Sequence, residues 1–411
     1  MDGFGARTLT IDALVKAYAK ALGRPGATEL DRIEHAFLEQ ALEDYVADET
    51  PELSPEDFAA VLAGFWRFGD VRAGGTGPLI RVQRAKAADG RELPYDTLEV
   101  IQDDAPFLVD SVMGELGDLG VGVKAMFHPV LELERFGPGH RRPQGAGQRE
   151  SMILVVMDVL SPERQAAVIE GVTASLADVR AAVDDFPAMR AAMAREIEIL
   201  RAGPPGVDKA ELNEGLAFLE WLNEDHFVFL GVRSYEYPRT GDGGYAAEAP
   251  LSLSEQGLGV LRDPNRPVLR REKEPAVLTQ ALRRQLDLAE PVVVAKANLR
   301  SRVHRRTYMD YVGVRRYGPD GKPSGEVRFV GLFTAEAYDR TAREVPLIRR
   351  KVDNVLKRAA KAPGSHNEKR LRNIVENYPR DELFQTPENE LLSIALGILH
   401  LYDRPRVKLF T

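Results

Sequence analysis

The chain has 411 residues, 44% of them hydrophobic and 29% charged, with a net charge of −8; that suffices for two or three domains with their own cores and speaks against a general nucleic-acid binder. It contains no cysteine, which excludes disulfides, thiolate metal sites and a cysteine nucleophile. The start MDGFGARTLT has no basic-then-apolar leader and no run approaches the roughly 18 apolar residues of a membrane span, so a cytoplasmic protein with no nucleic-acid or membrane partner is expected.

Residues 1–75 read as a helical segment. Leu14, Tyr18, Ala21 and Leu22, then Ile33, Phe37, Leu38, Ala41 and Leu42, recur near helical spacing. Ser54-Pro55-Glu56-Asp57 starts a helix: a serine cap, a first-turn proline, and acids at the positive end of the dipole. Ala73–Pro78 is a linker.

Between residues 76 and 202 strands and helices alternate. Leu79–Val82 and Thr97–Ile101 are strands, the second with clear alternation. Pro106–Leu119 is a helix whose stripe of Leu108, Val112, Leu116 and Leu119 ends at Gly120. Val121–Phe136 is extended, Phe136–Gln148 is a Gly/Pro/Arg-rich loop, and Ile153–Val159 is a buried strand. Ser161-Pro162-Glu163 starts a further helix, Val179–Phe186 reads as a last strand, and Pro187–Leu200 is helical again. The order β-α-β-β-α-β is the split arrangement of ferredoxin-like domains, an α+β fold class.

Gly203-Pro204-Pro205-Gly206 marks a boundary. Residues 207–337 form a second α+β module. Asp208-Lys209-Ala210-Glu211 is a capping-box start, and strands follow at Phe227–Tyr237, Val292–Ala297, Thr307–Tyr317 and Glu326–Thr334. A helix is expected at Gln280–Leu288, and Gly318-Pro319-Asp320-Gly321 turns a hairpin. Residues 338–403 are a helical segment with Val345, Ile348, Val352, Val355 and Leu356 on one face. Residues 404–411 (with RVKLFT at the end) read as the opening strand of another module, cut short.

Charge is unevenly placed. Glu29–Asp57 holds eleven acids against one base, and Arg340–Arg372 eleven bases against three acids. They are two solvated helix faces, or they meet within a chain or between subunits.

The usual catalytic signatures are missing. The seven histidines are scattered, and no HExxH, GxSxG or P-loop occurs. No catalytic, cofactor-binding or metal-ligating residue is assigned. Gly241-Asp242-Gly243-Gly244-Tyr245-Ala246 fits a relaxed GxGxxA but leads into no apolar helix, and reads as a hairpin tip. His128-Pro129 reads as packing at a strand end. Lys296, Arg300, Arg302, His304 and Arg305 form a basic run whose members could contact an anion or an interface; the alternative is a solvated loop or a charge-blunted strand edge.

The richest stretch is Asp104, Ala105, Pro106, Phe107 and Leu108. Asp104 could cap the helix, and the open N–H groups of its first turn make a small anion site. Amino-acid-binding ACT domains resemble this arrangement: a strand, an Asp-x-Pro-Gly-like turn, a helix. Phe107 stands where that pattern has glycine, and should block the turn or fill its pocket.

Five blocks carry a wider resemblance: DDAPFLVDSVMGEL with FHPVLEL, WLNEDHFVFLGVRSYEY, KANLRSRVHRRTYMDYVGVRRY, RFVGLFTAEAY with VPLIRRKVDNVL, and YPRDELFQ. From about Leu53 onward the chain resembles the N-terminal region of the large bacterial NAD-specific glutamate dehydrogenases. The resemblance implies ACT-like and helical modules, with the NAD-binding catalytic domain downstream. It implies a parent enzyme that oxidatively deaminates L-glutamate to 2-oxoglutarate and ammonium with NAD as cofactor. The present chain would bind none itself and would be inactive alone. Its expected partners are its own C-terminal catalytic domain, further copies in a homo-oligomer, and an amino-acid effector. The rival reading is a free-standing amino-acid-binding ACT-like sensor without catalysis.

Overall fold

The computed structural model describes residues 9–24, 30–44, 53–72, 77–142, 147–241, 244–246, 252–253, 256–266, 268, 290–359 and 365–403. The helix expected at Gln280–Leu288 and the strand at 404–411 lie outside them, as do Asp242 and Gly243. The chain forms two compact units, one of residues 1–180 with 302–306, the other of 181–301 with 307–411.

The first unit opens with α1 (Ile11–Ala21), α2 (Arg32–Glu43) and α3 (Pro55–Phe68). Each start is chemically marked. The Thr10 hydroxyl accepts from Ala13 N–H, Asp31 and Glu34 form a capping box, and Ser54 accepts from Asp57 N–H with Pro55 behind it. Five strands follow as an antiparallel sheet: β1 (Leu79–Lys86), β2 (Glu92–Asp103), β3 (Val123–Phe127), β4 (Val130–Leu133) and, after the short β5 (Arg135–Phe136) and β6 (His140–Arg141) hairpin, β7 (Gln148–Met157). The sheet order is β1-β2-β7-β3, with β4 also on β7. Two helices complete the unit: α4 (Leu108–Asp118), and α5 (Pro162–Arg201) as far as Arg180.

Strand alternation divides the sheet into two buried faces. Ile101, Phe127, Met152, Leu154 and Val156 share a core with Tyr18, Phe37, Phe58 and Phe65 of α1–α3. Leu98, Val100, Ile153 and Val155 point the other way and are buried, as are Leu108, Val112 and Leu116 of α4 and Val168, Val172 and Leu176 of α5. This is the expected ACT-like α+β module with one correction. Val179–Phe186 are helical, inside α5, and not a strand. The sheet edge that a final strand would take, beside β2, is already held by β1. Val172, Leu176, Val179, Met189 and Met193, all buried, keep helical spacing across Pro187; their burial outweighs the roughly 3 kcal/mol that an interior proline costs.

The second unit contains the rest of α5, then α6 (Lys209–Trp221), started by Asp208 as expected, and a sheet of β8 (Phe227–Glu236), β9 (Ser252–Leu253), β10 (Leu258–Gly259), β11 (Val292–Arg300), β12 (Tyr308–Tyr317) and β13 (Pro323–Phe333). The order is β10-β8-β13-β12-β11, with β9 also on β8 and every pair antiparallel. Gly318 N–H donates to Lys322 O at 2.9 Å in the β12–β13 turn. Phe218 and Leu219 of α6, Met189 and Met193 of α5 and Val312 and Phe329 of the sheet form the core.

Helices α7 (Ala335–Asp339), α8 (Ile348–Arg358), α9 (His366–Glu376), α10 (Arg380–Gln385) and α11 (Glu388–Asp403) follow. Val345, Val352, Val355, Leu371, Val375, Leu391 and Leu399 close a separate cluster. Much of the basic charge here is met inside this unit: Arg349 pairs with Glu214 (2.9 Å), Arg350 with Glu211 (2.5 Å) and Arg343 with Glu376 (3.2 Å).

Candidate functional site

The site begins with how β2 becomes α4. The strand runs to Asp103, and Asp104 N–H still donates to Arg149 O at 2.8 Å, so Asp104 belongs to the ladder with β7. Its carboxylate meets Arg149 Nη2 at 3.1 Å. It is therefore too far back to cap the helix: α4 starts at Leu108, two residues later than expected, and its N-cap, Phe107, makes no side-chain cap. Exposed Pro106 and half-buried Phe107 form the turn.

Phe107 reverses the chain with φ of 70°, in the left-handed region. That conformation costs a side-chain-bearing residue about 1–2 kcal/mol, and glycine takes it freely. The turn thus has the shape for which the ACT pattern uses glycine, imposed here on a phenylalanine. Its carbonyl accepts from both the backbone N–H (3.1 Å) and the hydroxyl (2.6 Å) of Ser111.

The half-buried Phe107 ring is not left open. His304 stands 5.1 Å from it, centroid to centroid. His304 N–H donates to Ser111 Oγ at 3.1 Å, and its ring Nδ1 lies 2.7 Å from Asp110 Oδ2. Beside it, Arg306 donates to Ser111 O (3.0 Å) and Ser175 Oγ (2.9 Å) and meets Glu115 Oε2 at 2.6 Å. Arg306 and Glu115 are only 13% and 12% exposed. Two stretches singled out separately in the sequence, nearly 200 residues apart, thus meet: the tip of the basic run lies over the first turns of α4.

The basic run does not act as one. Arg302, His304 and Arg305 belong with Arg306 to the first unit, Lys296 and Arg300 to the second. Arg302 is exposed, and Arg305 N–H donates to Val303 O at 2.8 Å. Lys296 Nζ sits between Asp310 (2.6 Å) and Asp381 (3.0 Å). Burial alone would lower the Lys296 pKa, but the two carboxylates outweigh it and raise it above the ordinary lysine value. Arg300 pairs with Tyr308 at the end of the β11–β12 ladder. His128 packs as expected. Its Nε2 is 2.7 Å from Ser151 Oγ, its N–H donates to Asp44, and burial holds its pKa below the ordinary histidine value.

Asp110, Ser111, Glu115 and Ser175 are absent from the sequence-based candidates. One signal could have found them: glycines inside apolar helices. A Cβ on Gly114 would lie 2.9 Å from Arg306 Nε, and one on Gly171 would lie 2.2 Å from Glu115 Oε1. Each glycine clears the path of a charged side chain, a packing reason of the kind an interior helical glycine implies.

Chemically the constellation is a closed polar contact, with carboxylates and hydroxyls already engaged. Among the described residues no group of three or more His, Asp or Glu could hold a metal ion, and no helix is long and apolar enough to cross a membrane.

Two family models match the chain: "Glutamate dehydrogenase, ACT1 domain" over residues 37–172, and "Glutamate dehydrogenase, helical motif 1" over residues 345–404. Curated relatives are named NAD-specific glutamate dehydrogenase. That of Halomonas elongata is 34% identical over 98% of this chain, that of Pseudomonas aeruginosa 31% over 91%, and that of Mycobacterium tuberculosis 29% over 85%. The matched stretch is 25%, 23% and 20% of the respective relative, so the chain spans about a quarter of their length or less.

Proposed function

The chain belongs to the family of large bacterial NAD-specific glutamate dehydrogenases, and from that premise we propose that it is the N-terminal regulatory and assembly region of such an enzyme. The parent reaction is then oxidation of L-glutamate by NAD and water to 2-oxoglutarate, ammonium and NADH, in the cytoplasm. NAD and the reacting groups belong to the remaining three quarters of the polypeptide. This region's partners are that catalytic part and further copies of the subunit.

One observation carries the reading. An ACT1 match and a helical-motif match fall on a chain that aligns almost end to end with a quarter of its relatives. Packing agrees with a docking role: the turn where an ACT domain would seat an effector is covered by His304 and Arg306 of the chain itself. In this reading the tip holds α4 in place.

The test is direct. The purified 411-residue chain, given L-glutamate and NAD, is expected to produce no rise in NADH absorbance, and steady turnover would overturn the assignment. A calorimetric titration with the common amino acids separates the rival sensor reading: tight binding abolished by Phe107→Trp would favour an effector seat at the turn.

A further inference from the structure

The first unit contains a pocket of about 500 Å³ on the other face of its sheet, between α3 and β1. That volume suits a small metabolite. It exists because the residues that face each other there are small: Ala60 and Gly64 on α3, Ala85 near the end of β1 and Ala87 just after it. A Cβ built on Gly64 meets nothing within 4 Å.

We propose that this pocket binds a small oxyanion, a molecule presenting carboxylate or phosphate oxygens. The floor is a polar network that leaves donors in surplus. The Glu99 side chain, 1% exposed, accepts from Arg81 Nε (3.1 Å) and Nη2, from Gln83 (2.8 Å) and from Thr97 (3.2 Å). Both of its oxygens are occupied, so it offers nothing to a cation.

Arg81 is held in place by stacking 4.2 Å over the Phe68 ring and by donating to Gly64 O. Its Nη1 has no hydrogen-bond partner among the described residues. Exposed Arg67, tied to Ala21 O through Nη2 alone, adds a second guanidinium at the wall, and Lys86 lies at the rim. Arg84 also borders the pocket, but its guanidinium is taken by Asp96 at 2.7 Å. A guanidinium fixed by stacking loses little freedom on meeting a forked oxyanion. The cluster is also a local positive field in a chain of net charge −8, which concentrates anions where they can be held.

This site stands apart from the dehydrogenase reading, since binding is measured on the chain alone. Calorimetry with succinate and with inorganic phosphate as probes, at low chloride, tests it and distinguishes carboxylate from phosphate. At least one probe is expected to saturate at one site per chain. Arg67→Gln and Gly64→Leu, the second filling the pocket, are each expected to weaken that probe by about tenfold or more. Arg164→Gln, which removes an exposed guanidinium on α5 outside the pocket, is expected to leave it unchanged. Failure of both probes to saturate, or unchanged affinity in a folded Arg67→Gln, overturns the proposal.

Discussion

The two faces of the first unit's sheet treat a potential ligand site in opposite ways. On one face, the turn into α4 has the shape of an amino-acid seat, yet Phe107, His304 and Arg306 occupy it. On the other, α3 and β1 bring small residues together and leave a hollow edged by arginines. A module's topology places its turns, but the side chains at each turn decide whether it is open. Inheriting the fold does not mean inheriting the binding place.

Four substitutions probe this contrast. Arg306→Ala should have the largest effect. It leaves Glu115 almost buried without its cation, which should cost about 2–4 kcal/mol. Urea denaturation would read this as a lower midpoint at unchanged slope, and an unchanged midpoint would show that the covered face owes nothing to the tip. Next come the two helical glycines. Gly64→Ala meets empty space and should raise stability by up to about 1 kcal/mol through helix propensity. Gly114→Ala meets Arg306 and should lower it, despite the same gain in propensity. Melting temperatures shifted in the same direction would erase the difference between the faces. The smallest effect is expected from Phe107→Gly. Relief of the left-handed backbone and loss of the ring contact nearly cancel, leaving stability within about 1 kcal/mol. If the midpoint falls much further, the ring matters more to the fold than its half-buried position implies.

Most of the architecture was legible because its signals are local. Ser54-Pro55, Asp31 with Glu34 and Asp208 mark helix starts, Gly318–Gly321 marks a hairpin, and alternation marks the strands. The error at Val179–Phe186 arose where two valines and a phenylalanine before a proline imitate a strand; only the occupied sheet edge and the long burial stripe decide for helix. At the candidate site, the sequence identified Phe107 as an obstruction but not what lies on it. The contact joins residues 107–115 to 304–306, and no short-range pattern encodes such a pairing. Asp104 was misjudged for a related reason. Asp-x-Pro before a helix looks like a cap, but Asp104 is still hydrogen-bonded to β7. The pocket at α3 and β1 was invisible because a void has no residue of its own.

The order of strands has a kinetic consequence. The edge beside β2 is filled by β1, joined to it through a tight turn in which Ala87 N–H donates to Arg91 O and Gly90 takes φ of 88°. A closing strand from beyond α5 would have to wait for the whole module to assemble. A hairpin partner arrives by short loop closure, and local pairing of this kind speeds folding. This half of the sheet can therefore form early, as a template on which β7 and then β3 are laid down.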